Sequence, residues 1–196
     1  RRPDTFCDLA FTPWPDMEEA MRREGLPLYG LASRRPARQF DLIGFSLGYE
    51  LGYTNVLTML DLAGLPLRAG QRTDGDPLVV AGGSCTLNPA VMGPFCDAIL
   101  PGDGEPAVAD LAEVLGRARA GRWRRALIVD AVRALPGAWH PGVAAPVAAR
   151  VLADLNDVPP PEVVVPTIEP VHDRVAIEVM RGCARGCRFC QAGMIQ

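Results

Sequence analysis

Three cysteines stand close together near the end of the sequence, in the stretch RGCARGCRFCQAG. Cys183, Cys187 and Cys190 have the spacing Cys-x3-Cys-x2-Cys. Three thiolates can hold three irons of a 4Fe–4S cluster and leave the fourth iron open to another ligand. Gly182 and Gly186 can adopt a positive φ, which lets a short loop wrap around such a cluster. The spacing therefore predicts a 4Fe–4S cluster ligated by these three cysteines.

Two other interpretations of the three cysteines stay open. A zinc site would need a fourth ligand such as His172 or a distant cysteine, and the two separated pairs typical of structural zinc are absent from the sequence. The other alternative is that the three thiols are close by chance. The remaining cysteines, Cys7, Cys85 and Cys96, stand singly, and we expect them to be buried as small apolar residues.

The composition is that of an ordinary globular protein. The 196 residues are 48% hydrophobic and 22% charged, with a formal net charge of −3, which gives no indication of a nucleic-acid or membrane partner. No apolar run approaches the roughly 18 residues of a membrane span, and the start does not resemble a signal peptide. Six cysteines without a framework spacing fit a reducing compartment. We therefore expect a cytoplasmic protein with no membrane partner.

Strand and helix patterns alternate before the cysteine loop, which predicts an α/β fold with a parallel sheet. The nearly continuous apolar run over 40–48 predicts a central strand that is covered on both faces. The predicted strands cover residues 7–11, 28–31, 40–48, 77–83 and 96–105, and the predicted helices cover residues 13–25, 49–64, 106–120 and 117–137.

Three glycine-containing loops follow predicted strands, and ligands of doubly wound sheets bind at that end of the strands. Small residues there would let the backbone approach a large flat ligand. Alternatively, the glycines only permit tight turns between strand and helix. Asp103 and Glu105 either face a ligand or, in the case of Glu105, support the start of a helix. The candidate ligand-binding residues of these loops are Ser46, Leu47, Gly82, Gly83, Gly102 and Gly104.

The cysteine spacing, with Phe189 just before the last cysteine, resembles the signature of radical S-adenosylmethionine (SAM) enzymes. Five stretches resemble a narrower bacterial group of these proteins, which has a cobalamin-binding-like domain at the N-terminus. They are TPWPDMEE, DLIGFSLGYELGYTNVLTMLDLAG, VVAGG, ILPGDGE and VAIEVMRGCARGCRFCQAGMI.

The resemblance implies a division of the chain into three parts. Residues 1–150 would be a Rossmann-like, flavodoxin-ordered, cobalamin-binding-like domain that is incomplete at its N-terminus. Residues 151–172 would be a proline-rich linker, because prolines neither continue a helix nor donate to a sheet. Residues 173–196 would supply the first strand, over 173–183, and the cluster loop of a truncated radical SAM barrel. We expect a fragment of a longer protein, since the sequence lacks an initiator Met and both ends look cut through structure, and we expect it to be inactive alone.

The resemblance also implies a reaction. In such enzymes SAM binds the open iron through its amino and carboxylate groups. An electron from the reduced cluster then cleaves it to methionine and a 5′-deoxyadenosyl radical, which abstracts hydrogen from a substrate. Phe189 would contact the adenine; alternatively its ring anchors the loop in the core. The substrate would be a small molecule or RNA, and the electron donor a flavodoxin or ferredoxin.

Cobalamin is a further cofactor that the resemblance implies, with methyl transfer as the first expected reaction and rearrangement or methylthiolation after it. The Asp-x-His-x-x-Gly sequence that would supply a histidine to cobalt is absent from the chain. His140, in the stretch AWHPG, has other neighbours and is expected in a turn or at the surface. Any cobalamin bound here would therefore take no histidine ligand from these residues.

Two functions of other classes also stay open. One is a non-catalytic cobalamin or redox sensor in which the cluster acts as a switch. The other is a zinc-binding, RNA-associated module, for which the stretch RARAGRWRR over 117–125 gives the support, with five arginines around one tryptophan. That stretch is otherwise an ordinary solvated helix face.

Overall fold

A computed structural model describes residues 5–158 and 177–190. The chain divides into two compact units, Arg1–Arg150 and Val151–Gln196. Most of the expected linker, His172 and the first part of the predicted strand over 173–183 lie outside the described residues. The functional assignment of the domains stays a prediction.

The first unit is built on a parallel three-stranded sheet with the strand order β1-β2-β3. Ser46 pairs with Gly82, and Gly82 pairs with Leu100, so the carboxyl ends of the three strands are aligned. The strands are β1 (Leu42–Ser46), β2 (Leu78–Gly82) and β3 (Ala98–Leu100).

The predicted central strand over 40–48 is the edge strand of this sheet. Among the described residues β1 pairs with β2 alone, and its Gly44 and Ser46 are exposed. The central strand is β2, in which Val79 is fully buried. The apolar run of β1 therefore predicted a strand correctly, but its predicted central position was wrong, because among the described residues β1 has a partner strand on one edge alone.

The helices of the first unit agree with the four predicted helical patterns. The first helix has Pro15 at its start, Asp16 and Glu18 in its first turn, and Gly25 at its end with φ 65°, in agreement with the terminal preferences of helices. The α-helices are α1 (Pro15–Glu24), α2 (Tyr53–Leu62), α3 (Gly104–Gly121) and α4 (Arg125–Arg133). Single 3-10 turns cover Ala37–Gln39, Glu50–Gly52, Ala69–Gln71, Ser84–Leu87, Pro89–Val91 and Leu155–Asp157.

Helices cover both faces of the sheet because successive strand residues point to opposite sides. One face packs against α2 and the other packs against α3 and α4. The first cluster includes Phe45, Val56, Leu60, Val79, Ala81 and Ile99, and the second includes Leu78, Val80, Ala98, Leu100, Leu111, Val129 and Val132. The unit is thus a mixed α/β structure, compatible with a Rossmann-like domain.

The two predicted N-terminal strands do not form. Leu9 accepts one backbone hydrogen bond from Leu31, and Tyr29 forms an isolated antiparallel bridge with Pro36. Cys7 is exposed, so its expected burial is wrong, whereas Cys85 and Cys96 are buried as expected.

The second unit contains neither a strand nor an α-helix in its described part, residues 151–158 and 177–190. The predicted strand over 173–183 is therefore not seen over 177–183, since a strand needs a partner and the described residues provide none. In neither unit do the described residues form a helix that combines the length and apolar character required to cross a membrane.

Candidate cofactor sites

The backbone of the cysteine loop bends at its two glycines. Gly182 has φ 82° and Gly186 has φ 62°, in the left-handed region where the sequence places residues without a side chain. A further turn follows, in which the Cys190 N–H donates to the Cys187 carbonyl at 3.1 Å. The loop therefore reverses direction within the segment that contains the three thiols.

All three loop cysteines are exposed and unbridged. Arg181 precedes the loop and is held by two hydrogen bonds to the Glu178 carboxylate, at 2.9 and 3.0 Å. Within residues 5–158 and 177–190 no three His, Cys, Asp or Glu side chains converge into a metal-binding group. The donor chemistry and the two bends fit an iron–sulfur cluster, and the ligand arrangement itself stays a prediction.

The ring of Phe189 is 92% exposed. It therefore does not anchor the loop in a core formed by the described residues, which was the alternative to an adenine contact. An open aromatic ring beside a cysteine can stack on a flat heterocycle. The adenine contact of Phe189 stays a prediction.

The three glycine-containing loops of the first unit meet at the carboxyl edge of the sheet. The Leu47 N–H donates to the Gly82 carbonyl at 2.7 Å, and the Leu47 carbonyl accepts from the Cys85 N–H at 3.0 Å. The Ser84 hydroxyl donates to the Gly48 carbonyl at 3.0 Å. The loop after β1 and the loop after β2 therefore fix each other.

Two of the candidate glycines are required by the packing of the chain itself. A Cβ on Gly83 would lie 2.6 Å from the Leu47 carbonyl oxygen, and Gly83 has φ 102°. Gly102 has φ 100°, and a Cβ there would overlap the backbone of Arg150. Leu47 is 4% exposed and both of its backbone groups are hydrogen-bonded. The physical role of these residues is therefore to bring the loops together.

Other residues at the same edge are free to meet a ligand. Ser46, Gly48 and Gly104 are exposed, and a Cβ on either of these two glycines would meet no atom within 4 Å. Tyr49 and Leu51 are large apolar side chains that are 60% and 78% exposed, and we did not predict a role for them. The signal in the sequence was their place directly after an apolar strand pattern, which predicts the loop at the ligand edge.

The polar candidates near this edge have structural partners. The Asp103 N–H donates to the Arg150 carbonyl at 2.7 Å, and Asp103 precedes the first residue of α3. Glu105 lies in the first turn of α3, where a carboxylate favours the positive end of the helix. The His140 carbonyl accepts from two following N–H groups in a turn, as expected, and burial together with nearby Arg133 lowers the pKa of its imidazole.

Parallel α/β architecture followed by an exposed three-cysteine loop is the arrangement expected of a radical SAM protein. Residues 1–141 match the family model described as radical SAM proteins, N-terminal, and the chain belongs to this family. The match confirms the resemblance to radical SAM proteins, and it ends before the cysteine loop. No curated protein and no solved structure matched the chain.

Proposed function

We propose that the protein containing this chain is a radical SAM enzyme that holds a 4Fe–4S cluster through Cys183, Cys187 and Cys190. The observation that carries the proposal is membership of the radical SAM family over residues 1–141, joined in one chain to the Cys-x3-Cys-x2-Cys loop. When bound, such a cluster supplies the electron that cleaves SAM to methionine and a 5′-deoxyadenosyl radical.

The residues of the loop have separate roles in this proposal. The three thiols provide soft ligands, and their exposure lets a cluster be inserted from solvent. Gly182 and Gly186 provide the positive φ values that turn the backbone around the cluster. Phe189 packs against the adenine of SAM, which its exposed ring supports. An electron donor such as flavodoxin or ferredoxin reduces the cluster in the cytoplasm, and the substrate is a small molecule or RNA.

Anaerobic reconstitution of the intact protein tests the cluster. We expect Cys183→Ala, Cys187→Ala and Cys190→Ala each to lose most of the bound iron and sulfide, because each removes one of three protein thiolates. Cys7→Ala is the matched control, since Cys7 is also exposed and unbridged but lies in the first unit. Full iron content in the three loop variants, or zinc in place of iron in the natural protein, would contradict the proposal.

We also propose that the carboxyl edge of the sheet binds cobalamin, which assists a methyl transfer. The support is the open space around Gly48 and Gly104, together with the exposed Tyr49 and Leu51. A flat macrocycle needs backbone at close range and apolar side chains beside it. Asp103 and Arg150 hold the loop that presents Gly104.

Substitution of Gly104 tests cobalamin binding without disturbing the fold. A Cβ on Gly104 would meet no atom within 4 Å outside its own helix turn, so we expect Gly104→Leu to fold normally and to bind cobalamin at least about tenfold more weakly. The absorption spectrum of cobalamin after equilibrium dialysis measures the bound fraction. Gly75→Leu is the control, because Gly75 has equal open space and follows no strand. An equal loss of cobalamin binding in both variants, or no cobalamin binding by the natural protein, would contradict a cobalamin site at this edge.

A further inference from the structure

An open cleft lies at the amino ends of the strands, at the edge opposite the glycine-containing loops. Its volume is about 790 Å³. Asp41, directly before β1, and Pro77, directly before β2, form one part of its wall. The end of α3 and the start of α4 form another part. The cleft is therefore separate from the edge at which we place cobalamin, and it lies within the first unit.

The cleft concentrates positive charge in a chain whose formal net charge is −3. Its wall contains five arginines and three aspartates, so the cleft itself carries an excess of positive charge. A local charge of this sign attracts anionic ligands. The arginines are Arg38, Arg119, Arg122, Arg124 and Arg125, and the aspartates are Asp41, Asp74 and Asp76.

Two of these aspartates already form hydrogen bonds and ion pairs with arginines of the wall. The Asp76 side chain is 2% exposed and accepts from Arg38 at 2.7 Å. Burial acts to raise the pKa of Asp76, but hydrogen bonds from Thr73 and the charge of Arg38 outweigh it and lower the pKa. Asp74 accepts from the Arg125 backbone N–H at 3.0 Å and from the Arg124 side chain at 3.3 Å. These carboxylates neutralise part of the wall only.

Three guanidinium groups retain unused hydrogen-bonding capacity. Arg119 and Arg122 are exposed and form no ion pair within the part of the chain that the structure describes. The Arg125 side chain is 11% exposed, and its Nη2 donates to Asp97 at 2.6 Å. Its Nε is buried and has no hydrogen-bond partner among the described residues. A buried donor without an acceptor carries a free-energy cost in the protein without a ligand.

Apolar and aromatic side chains line the same cleft. Trp123 and Phe40 belong to the wall, together with Leu115 and Ile128. Guanidinium groups bind phosphate through paired hydrogen bonds, and an aromatic ring offers a flat surface to a heterocycle. A volume of this size lies within the range of roughly 300 to 1,000 Å³ that small-molecule sites occupy.

We propose that this cleft binds a small organic phosphate with an aromatic ring, of the size of a nucleotide. Arg119, Arg122 and Arg125 hold the phosphate, and Trp123 packs against the ring. A single-stranded RNA is less well matched, because the chain is acidic as a whole and RNA would need a continuous positive track beyond the cleft.

Calorimetric titration of the intact protein tests this site, with ADP as the probe. We expect saturable binding of one ADP per chain, and adenosine and inorganic phosphate to bind at least about tenfold more weakly than ADP, since each lacks half of the proposed contacts. Arg122→Gly removes a guanidinium at a position where φ is 51°, which glycine adopts more readily than arginine. This variant should therefore fold normally and bind ADP about tenfold more weakly.

Arg119→Ala should weaken ADP binding to a similar extent, and Arg23→Ala should not, because Arg23 is exposed on α1 and lies outside the cleft wall. No ADP binding at millimolar concentration would overturn the proposal, as would equal losses in Arg122→Gly and Arg23→Ala. Inorganic phosphate binding as tightly as ADP would show a plain anion site without the ring contact. Binding of a single-stranded oligoribonucleotide but not of ADP would overturn the choice of a small ligand. None of these outcomes depends on the cluster or on cobalamin.

Discussion

Glycines have different tasks in the two regions that we connect with cofactors. At the carboxyl edge of the sheet, a Cβ on Gly83 would meet the Leu47 backbone at 2.6 to 2.9 Å. In the cysteine loop, Gly186 also has a positive φ, but a Cβ there would meet no atom within 4 Å. The first glycine is required by the packing of the protein, and the second is required by the direction of the backbone alone. Glycine is therefore required by close packing in the first region, whereas in the cysteine loop it is surrounded by open space.

The largest expected effect lies in the buried core of the first unit, which is the closely packed region of the two. The Asp97 side chain is 2% exposed and accepts from Arg125 at 2.6 Å, from the Val79 N–H at 2.8 Å and from Arg72 at 3.5 Å. Asp97→Ala would leave Arg72 and Arg125 without their buried partner, and we expect a loss of about 3 to 5 kcal/mol in the free energy of unfolding.

Urea unfolding followed by tryptophan fluorescence measures this loss, because Trp14, Trp123 and Trp139 all lie in the first unit. Asp61→Ala is the control, since its side chain is 55% exposed and its ion pair with Arg22 is at the surface. A loss of less than about 1 kcal/mol for Asp97→Ala, similar to that of a surface pair, would show that this buried network does not stabilise the unit.

The two glycines allow a direct test at intermediate size. We expect Gly83→Ala to reduce the free energy of unfolding by about 3 kcal/mol, because the new methyl overlaps backbone atoms and φ is 102°. Gly186→Ala should leave the stability of the first unit unchanged, since Gly186 lies in the second unit and a Cβ there would meet no atom within 4 Å. The same urea experiment compares the first-unit signal of both variants with the natural protein. Equal stability of the two variants would show that the packing of the first unit does not require glycine at position 83.

The smallest effect concerns the thiols of the two regions. Burial raises the pKa of Cys96 to about 12, from an ordinary value of about 8.5. Since burial favours the protonated thiol, Cys96 stabilises the fold fully below about pH 8.5 and loses this contribution as the pH rises toward 12. We expect the natural protein to lose about 2 kcal/mol more than Cys96→Ala between pH 8 and pH 10.

Alkylation by iodoacetamide at pH 8 gives an independent measurement of the same contrast. Cys183, Cys187 and Cys190 are exposed and should react rapidly in the protein without a cluster, whereas Cys85 and Cys96 are buried and should react only after unfolding. Rapid reaction of Cys96 in the folded protein would contradict its burial.

Local patterns predicted the elements of the first unit better than their arrangement. The four helices could be read from the sequence because their ends carry local signals, such as Pro15 at the start of α1 and Gly25 at its end. The place of β1 at the edge of the sheet could not, because apolar character shows burial and not which neighbour provides it. The strand predicted over 28–31 forms one bridge only, because a strand also needs a partner and the local pattern does not show one.

The candidate sites show the same limit. The bends at Gly182 and Gly186 agree with the sequence, because a positive φ is a local property of glycine. The structural roles of Gly83 and Gly102 depend on their close approach to Leu47 and to Arg150, which are distant in the sequence. No local pattern could therefore show whether these glycines serve packing or ligand binding. The arginine-lined cleft likewise combines Arg38 with residues of α3 and α4. The sequence showed the arginine-rich stretch over 117–125, but it did not show that these residues would line a cleft.

The bonds of Arg150 decide where the first unit can be shortened. Its N–H donates to the Pro101 carbonyl at 3.1 Å, its carbonyl accepts from the Asp103 N–H at 2.7 Å, and its side chain pairs with Asp110 at 2.6 Å. A polypeptide that stopped at residue 141, where the family match ends, would keep all three strands and lose these bonds around Gly102. A truncated version of the first unit should therefore end beyond Arg150 in order to keep these bonds.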